Sequence, residues 1–244
     1  MCGRFVLSVS SVSIKKTFSL GSCPIFSPSY NIAPTQKILA ILGEEESSLN
    51  PLSENNKWKS CFLHWGLIPS WAKNSKNSSN LINARLETLG VKPSFKQAFS
   101  QRRCLIPANG FYEWNQEVYG KNPLLFYKTN KEVFAFAGLW EKWQSPTGEI
   151  IESATIINTQ ARGIMAEIHP RMPIILKKCA YQIWLDKSIQ DPKLLSEILQ
   201  SNLKDNLHFY PVNEAVNSVK NNYPELLEPE KVSKQLSLFQ LKKF

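Results

Sequence analysis

Histidine is scarce in this chain, three residues in 244, and the five cysteines (Cys2, Cys23, Cys61, Cys104 and Cys179) are odd in number, widely spaced and never arranged as CxxC. That usage argues against a disulfide framework and against a zinc-type metal site, so neither a metal nor a cofactor is expected. No apolar run is long enough to cross a bilayer, and no apolar stretch follows a basic segment at the amino terminus. Neither a membrane span nor a secretory leader is therefore expected, and the reading is a cytoplasmic protein, nucleoid-associated in a bacterial cell. No internal repeat is visible.

What is present is an apolar content of 43%, sufficient over 244 residues to bury one core. The formal charge of +9 and the pI near 9.3 favour a polyanionic partner without identifying one. Short runs rich in β-branched and aromatic residues read as strands: Ile38 to Leu42, Leu81 to Ala84, Cys104 to Ala108, Leu124 to Tyr127 and Val133 to Trp140. Helical patterns are fewer: Ser11 to Phe18, Ser94 to Phe99, Cys179 to Trp184, and Pro192 to Leu199 with Asp191 as N-cap. The expected class is α+β, a β-rich single domain of twisted, mainly antiparallel, barrel-like sheets with a few peripheral helices. Glu44 to Lys57 and Lys73 to Asn80 are polar and aperiodic and read as surface loops. The domain is expected over residues 2–228, with 229–244 as a tail.

Chemistry points first to the amino terminus. Met1 precedes a small residue, the situation in which initiator methionine is removed, and Cys2 would then carry a free α-amine beside its thiol. Their reference pKa values, about 7.7–8.0 and 8.5, make both nucleophilic near neutrality. With an aldehyde, the amine condenses to a Schiff base with loss of water, and the thiol adds to the same carbon to close a five-membered thiazolidine.

Three segments concentrate polar groups in apolar surroundings: Leu81 to Glu87, Gly110 to Trp114 and Ile168 to Leu176. Glu113 alternates with Tyr112 and Trp114, so it faces the opposite side of its strand, where burial would raise its pKa into a useful acid–base range; the plainer alternative is a surface carboxylate. Pro170 holds the chain extended at His169, although a single histidine is often structural. Asn83 and Arg85 share one strand face, suited to a sugar and an adjacent phosphate or, alternatively, to a cross-strand ion pair.

The blocks MCGRF, YNIAPTQ, WGLIPSWA, INARLET, CLIPANGFYEW and HPRMPIIL occur in an order that resembles the SOS-response-associated peptidase (SRAP) family over roughly residues 2–225. The resemblance implies a shield for abasic sites in single-stranded DNA, with Cys2 forming a thiazolidine with the ring-opened deoxyribose. It further implies that Asn83 and Arg85 hold the abasic sugar and its phosphate, while Glu113 and His169 complete the site. Arg4 is expected to contact a phosphate, and Pro69, Trp71 or both to meet exposed bases, with core packing as the alternative for Trp65 and Trp71. The family name also implies a peptidase activity, read as removal of Met1 and reversal of the crosslink.

In the tail, Gln235, Leu236, Ser237, Leu238 and Phe239 form QLSLF, which resembles the pentapeptide that docks bacterial polymerases and repair proteins on the replication sliding clamp; an amphipathic segment packed on the core is the alternative. Two rival functions remain at the level of sequence. A thiol hydrolase using Cys2 and His169 lacks any papain-type or caspase-type signature, and a non-catalytic single-strand binding module would keep full activity after Cys2→Ala.

Overall fold

The run Ile38 to Leu42 contains no polar side chain, and a strand buried on both faces is the structure such a run favours. The computed structural model bears this out and describes residues 2–43, 58–76, 78–114, 122–129, 132–201 and 207–230. In chain order the elements are β1 (Phe5–Leu7), α1 (Ser11–Thr17), β2 (Ser29–Ile32), β3 (Lys37–Gly43), β4 (Trp58–Trp65), β5 (Asn83–Arg85), α2 (Pro93–Gln101), β6 (Arg103–Ala108), β7 (Gly110–Trp114), β8 (Pro123–Lys128), β9 (Phe134–Gln144), β10 (Ile150–Gln160), β11 (Arg171–Pro173), β12 (Ile175–Leu176), α3 (Tyr181–Leu185), α4 (Pro192–Ser201) and β13 (Leu207–Pro211).

Strands β10, β4, β3, β6 and β9 pair in that order, and β9 pairs back to β10, which closes a five-stranded barrel. The pairings are antiparallel except that β4 and β5 run parallel to β10. A second sheet, β13-β8-β7-β1-β2, is antiparallel throughout. Its inner face packs on the barrel through Phe5, whose ring lies 5.1 Å from Trp65 and 5.8 Å from Phe136. Its outer face carries a smaller core of Val6, Tyr112, Leu125, Val212, Val216 and Leu226. The α+β, barrel-like expectation holds.

Helix ends follow local chemistry. Ser10 caps α1 by accepting from the Ser13 amide, and the Asp191 carboxylate accepts from the Lys193 amide at the start of α4, as expected. Two elements differ from the sequence reading. Residues 78–81 form a 3₁₀ turn and the strand begins only at Asn83, because the Leu81 carbonyl accepts from Leu67 N and the Ile82 carbonyl from the Trp65 indole. The helix read from Cys179 to Trp184 is a 3₁₀ turn, Lys178–Ala180, followed by α3.

The carboxyl-terminal part of the described chain is pinned over the second sheet. Asn31 Nδ2 donates to the carbonyls of Val216, Ser218 and Asn221 at 3.1, 3.0 and 2.8 Å, and Val212 bridges Pro229. The loop read over Glu44 to Lys57 and the QLSLF segment lie outside the described residues.

Candidate active site

Strand register brings the amino terminus to Glu113. Phe5 pairs with Phe111, and Tyr112 N donates to Arg4 O at 2.9 Å, so the register carried two residues back sets Gly3 opposite Glu113 and Cys2 at its edge. Cys2 is wholly buried, and Asn83 Nδ2 donates to its carbonyl at 2.8 Å. That hydrogen bond joins the second sheet to the barrel, since β5 is held in parallel register against β10, Asn83 beside Ile156 and Arg85 beside Asn158. Asn83 Oδ1 is buried and has no hydrogen-bond partner among the described residues, so an acceptor is left for a ligand.

Glu113 is 3% exposed, not the surface carboxylate of the plainer reading. Burial, opposed in part by the charges of the amino terminus and of His169, raises its pKa. The same burial, with the Glu113 charge adding to it, pushes the Cys2 thiol well up, so the sulfur is held as a neutral thiol. Glu113 is the carboxylate whose charge bears on that thiol. Tyr112 and Trp114 face the outer core, as the alternation required.

His169 lies two residues before β11 rather than within a strand, half-buried, and bears on Glu113 electrostatically. Its Nδ1 sits 2.9 Å from both the amide nitrogen and the carbonyl oxygen of Arg171. A neutral ring can accept from that N–H, leaving its proton on Nε2, and a protonated ring can donate to that carbonyl. One backbone residue thus accommodates both protonation states of the ring.

The other expected residues fall in two groups. Arg85 is exposed on the face it shares with Asn83, and its side chain makes no hydrogen bond or ion pair among the described residues. Trp71 is 63% exposed, whereas Trp65 is core. Gly66, at φ 135, turns the chain out of β4, and the turn that follows is anchored by Ile68 N to Ser153 Oγ and by the Trp143 indole to Ala72 O. The Trp71 ring is therefore presented from a fixed backbone, and Pro69 is buried. Arg4 is tied elsewhere: Nη1 donates to Asn31 Oδ1 and Val216 O, both at 2.8 Å, and the guanidinium lies 5.8 Å over Trp114.

Sequence reading missed a polar network beside the site. Arg171 forms a two-pronged ion pair with Glu87, and its Nε and Nη2 donate to Asn158 Oδ1 at 3.1 and 2.7 Å. Arg171 and Glu87 stand inside HPRMP and INARLET, and Asn158, fully buried, is a polar interruption of the apolar strand TIINTQ, which was the available signal. No group of three or more metal-ligating side chains close enough to share an ion occurs among the described residues. No helix among them is long and apolar enough to cross a membrane.

The chain matches the model of the SOS response associated peptidase (SRAP) family over residues 1–219. It belongs to that family. Among other SRAP relatives, it is 42% identical over 232 residues to the abasic site processing protein YoqW of Bacillus subtilis (strain 168), covering 93% of this chain and 99% of that one. It is 30% identical over 228 residues to the abasic site processing protein HMCES of Gallus gallus, covering 84% of this chain and 67% of that one. A crystal structure of a Bacteroides thetaiotaomicron protein superimposes with a TM-score of 0.77 at 21% identity, over 94% of this chain and all of that one, which shows a shared fold.

Proposed function

We propose that this SRAP protein captures abasic sites in single-stranded DNA by forming a thiazolidine between Cys2, freed of Met1, and the ring-opened deoxyribose, shielding the lesion from strand cleavage and error-prone processing. The observation that carries the reading is a buried cysteine at position 2 whose carbonyl Asn83 holds and on whose thiol Glu113 bears, with His169 bearing in turn on Glu113. The names of the YoqW and HMCES relatives support the same substrate.

In this reading, His169 donates a proton to the ring oxygen as the sugar opens to its aldehyde. Glu113 accepts a proton from the α-ammonium, and the free amine condenses with the aldehyde, releasing water. Glu113 returns that proton to the hydroxyl that leaves as water; the thiol then adds to the imine carbon, its proton passing by way of Glu113 to the imine nitrogen as the ring closes, and the reverse sequence would release the DNA. Asn83 fixes Cys2 and offers its vacant Oδ1 to the sugar, Arg85 meets the adjacent phosphate, and Trp71 stacks on a base. Arg4, with Nη1 donating to Asn31 and Val216, would reach a phosphate only by exchanging those bonds.

A thiol peptidase activity of Cys2 and His169 is confined in this proposal to removal of Met1. The site of action is the cytoplasm, on the chromosome. QLSLF would tether the enzyme to the bacterial sliding clamp through Leu238 and Phe239. A clamp pull-down should lose the Leu238→Ala, Phe239→Ala variant; equal retention of both proteins would remove that part.

The deciding experiment for the function is a denaturing gel of the processed protein with single-stranded DNA bearing one abasic site. A heat-stable band that needs both the lesion and Cys2 is expected. Its absence would return the protein to the hydrolase or binding-module reading.

A further inference from the structure

The imidazole of His169 is oriented by the main chain of Arg171, which sits at the first position of β11, a strand of only three residues. Strand β11 pairs with β10 alone, from Asn158–Pro173 to Gln160–Arg171 and on to the Ala161 amide donating to the Pro170 carbonyl at 2.9 Å, so main-chain pairing holds Arg171 from one side only. Side-chain contacts supply the remaining restraint. Glu87 grips the guanidinium through Nη1 to Oε1 and Nη2 to Oε2, both 2.8 Å, from the 3₁₀ turn after β5. Asn158 grips the opposite edge from β10, accepting Nε and Nη2 at its Oδ1 and Nη2 again, at 3.1 Å, at its carbonyl. A planar fork held by acceptors on two elements cannot rotate without breaking several charge-assisted bonds together.

We propose that Glu87 is a positioning residue for His169, acting through Arg171 to hold the imidazole where it bears on Glu113. Half-exposed Glu87, with 49% of its side chain accessible, contributes little to stability as a surface ion pair, so its effect is on geometry. The Arg171 hydrogen bonds, before any other influence, hold its carboxyl below the usual range and keep it ionised at neutral pH. The same contacts engage the Arg171 guanidinium at Nε, Nη1 and Nη2.

As a contribution to the reaction, this inference rests on the function proposed above, and a double-mutant cycle separates the two. Glu87→Gln keeps shape and loses charge. It should slow crosslink formation by about 10- to 100-fold, the scale of a reacting group displaced by an ångström. In the His169→Ala background the same substitution should change the rate less than twofold, because its effect passes through the missing imidazole. Arg171→Lys, which keeps the charge and loses the fork, should match Glu87→Gln. An equal fold-loss in both backgrounds, or no loss with His169 present, would overturn the assignment.

A second readout requires no DNA. The ring-nitrogen resonances of ¹⁵N-labelled His169 should shift or broaden in Glu87→Gln while the rest of the spectrum is retained; unchanged resonances would overturn the positioning role. If wild-type protein forms no Cys2-dependent crosslink while these resonances do shift, the functional reading fails and the positioning of His169 stands.

Discussion

The Asn83 side-chain amide and the Cys2 carbonyl, 2.8 Å apart, are the link by which the barrel holds the residue that precedes the first strand of the other sheet. Neither sheet alone makes the site: β7 brings Glu113, β5 brings Asn83, and the turn before β11 brings His169. Removing this link should loosen the nucleophile before it unfolds the protein.

Asn83→Asp replaces the donor with a carboxylate that faces the Cys2 carbonyl. A lost buried hydrogen bond costs about 1–3 kcal/mol, so the rate of crosslinking should fall roughly 10- to 100-fold. Single-turnover denaturing gels, alongside thermal melts that should fall by roughly 2–12 °C, check this outcome.

Glu113→Gln should trade activity for stability. The folded pKa of Glu113 is raised by burial, so below the unfolded value, about 4.3, both states are protonated and the group is neutral in the balance. As pH rises through that value the unfolded chain ionises first, and the folded state loses stability until the pH passes the folded pKa. The glutamine variant avoids that loss. It should be more stable than wild type in urea at pH 7, converge with it below about pH 4, and crosslink about 10²- to 10⁴-fold more slowly.

Trp71 and Arg85 should separate stacking from charge. Trp71→Ala is expected to weaken binding of undamaged single-stranded DNA by about 1–3 kcal/mol with little change in melting temperature. Arg85→Ala should lower the slope of log affinity against log salt by about 0.7, the value for one phosphate contact on a single strand. Fluorescence anisotropy across a salt series measures both.

Arg103 is structural. Buried against Trp184, it donates to the carbonyls of Phe99 and Ser100 at the end of α2 and of Trp184 and Asp186 at the end of α3. Arg103→Ala removes this donor from all four carbonyls, of which that of Asp186 keeps the Ile189 amide at 3.3 Å, and should destabilise the fold by about 3–5 kcal/mol, read by chemical denaturation. Protein that remains folded should still crosslink.

Continuous apolar strands such as β3, β6 and β9 were legible because a strand buried on both faces leaves an uninterrupted run. Strand β10 was not, because Glu152, Ser153, Thr155 and Asn158 break its pattern, and two of them have tertiary reasons: Ser153 receives the Ile68 amide and Asn158 receives Arg171. Strand β4 was hidden by alternation, with Leu63 and Trp65 inward and Phe62 and His64 more exposed. At the site, Cys2, Glu113 and His169 could be singled out by residue type and setting. Glu87 could not, since its role depends on a partner 84 residues away, and no local spacing encodes that contact.

The pairing of β1 between β2 and β7 has a mechanical consequence. In the crosslinked state proposed above, DNA is attached at residue 2, so any pull on the DNA enters the protein along β1. The hydrogen bonds of an antiparallel pair lie across the strands, and traction along β1 strains both of its ladders together in shear instead of parting them one bond at a time. Phe5, wedged between Trp65 and Phe136, resists the same displacement. A motor that runs into the adduct therefore meets a stiff obstacle, and the part of the protein that must yield first is the strand nearest the DNA.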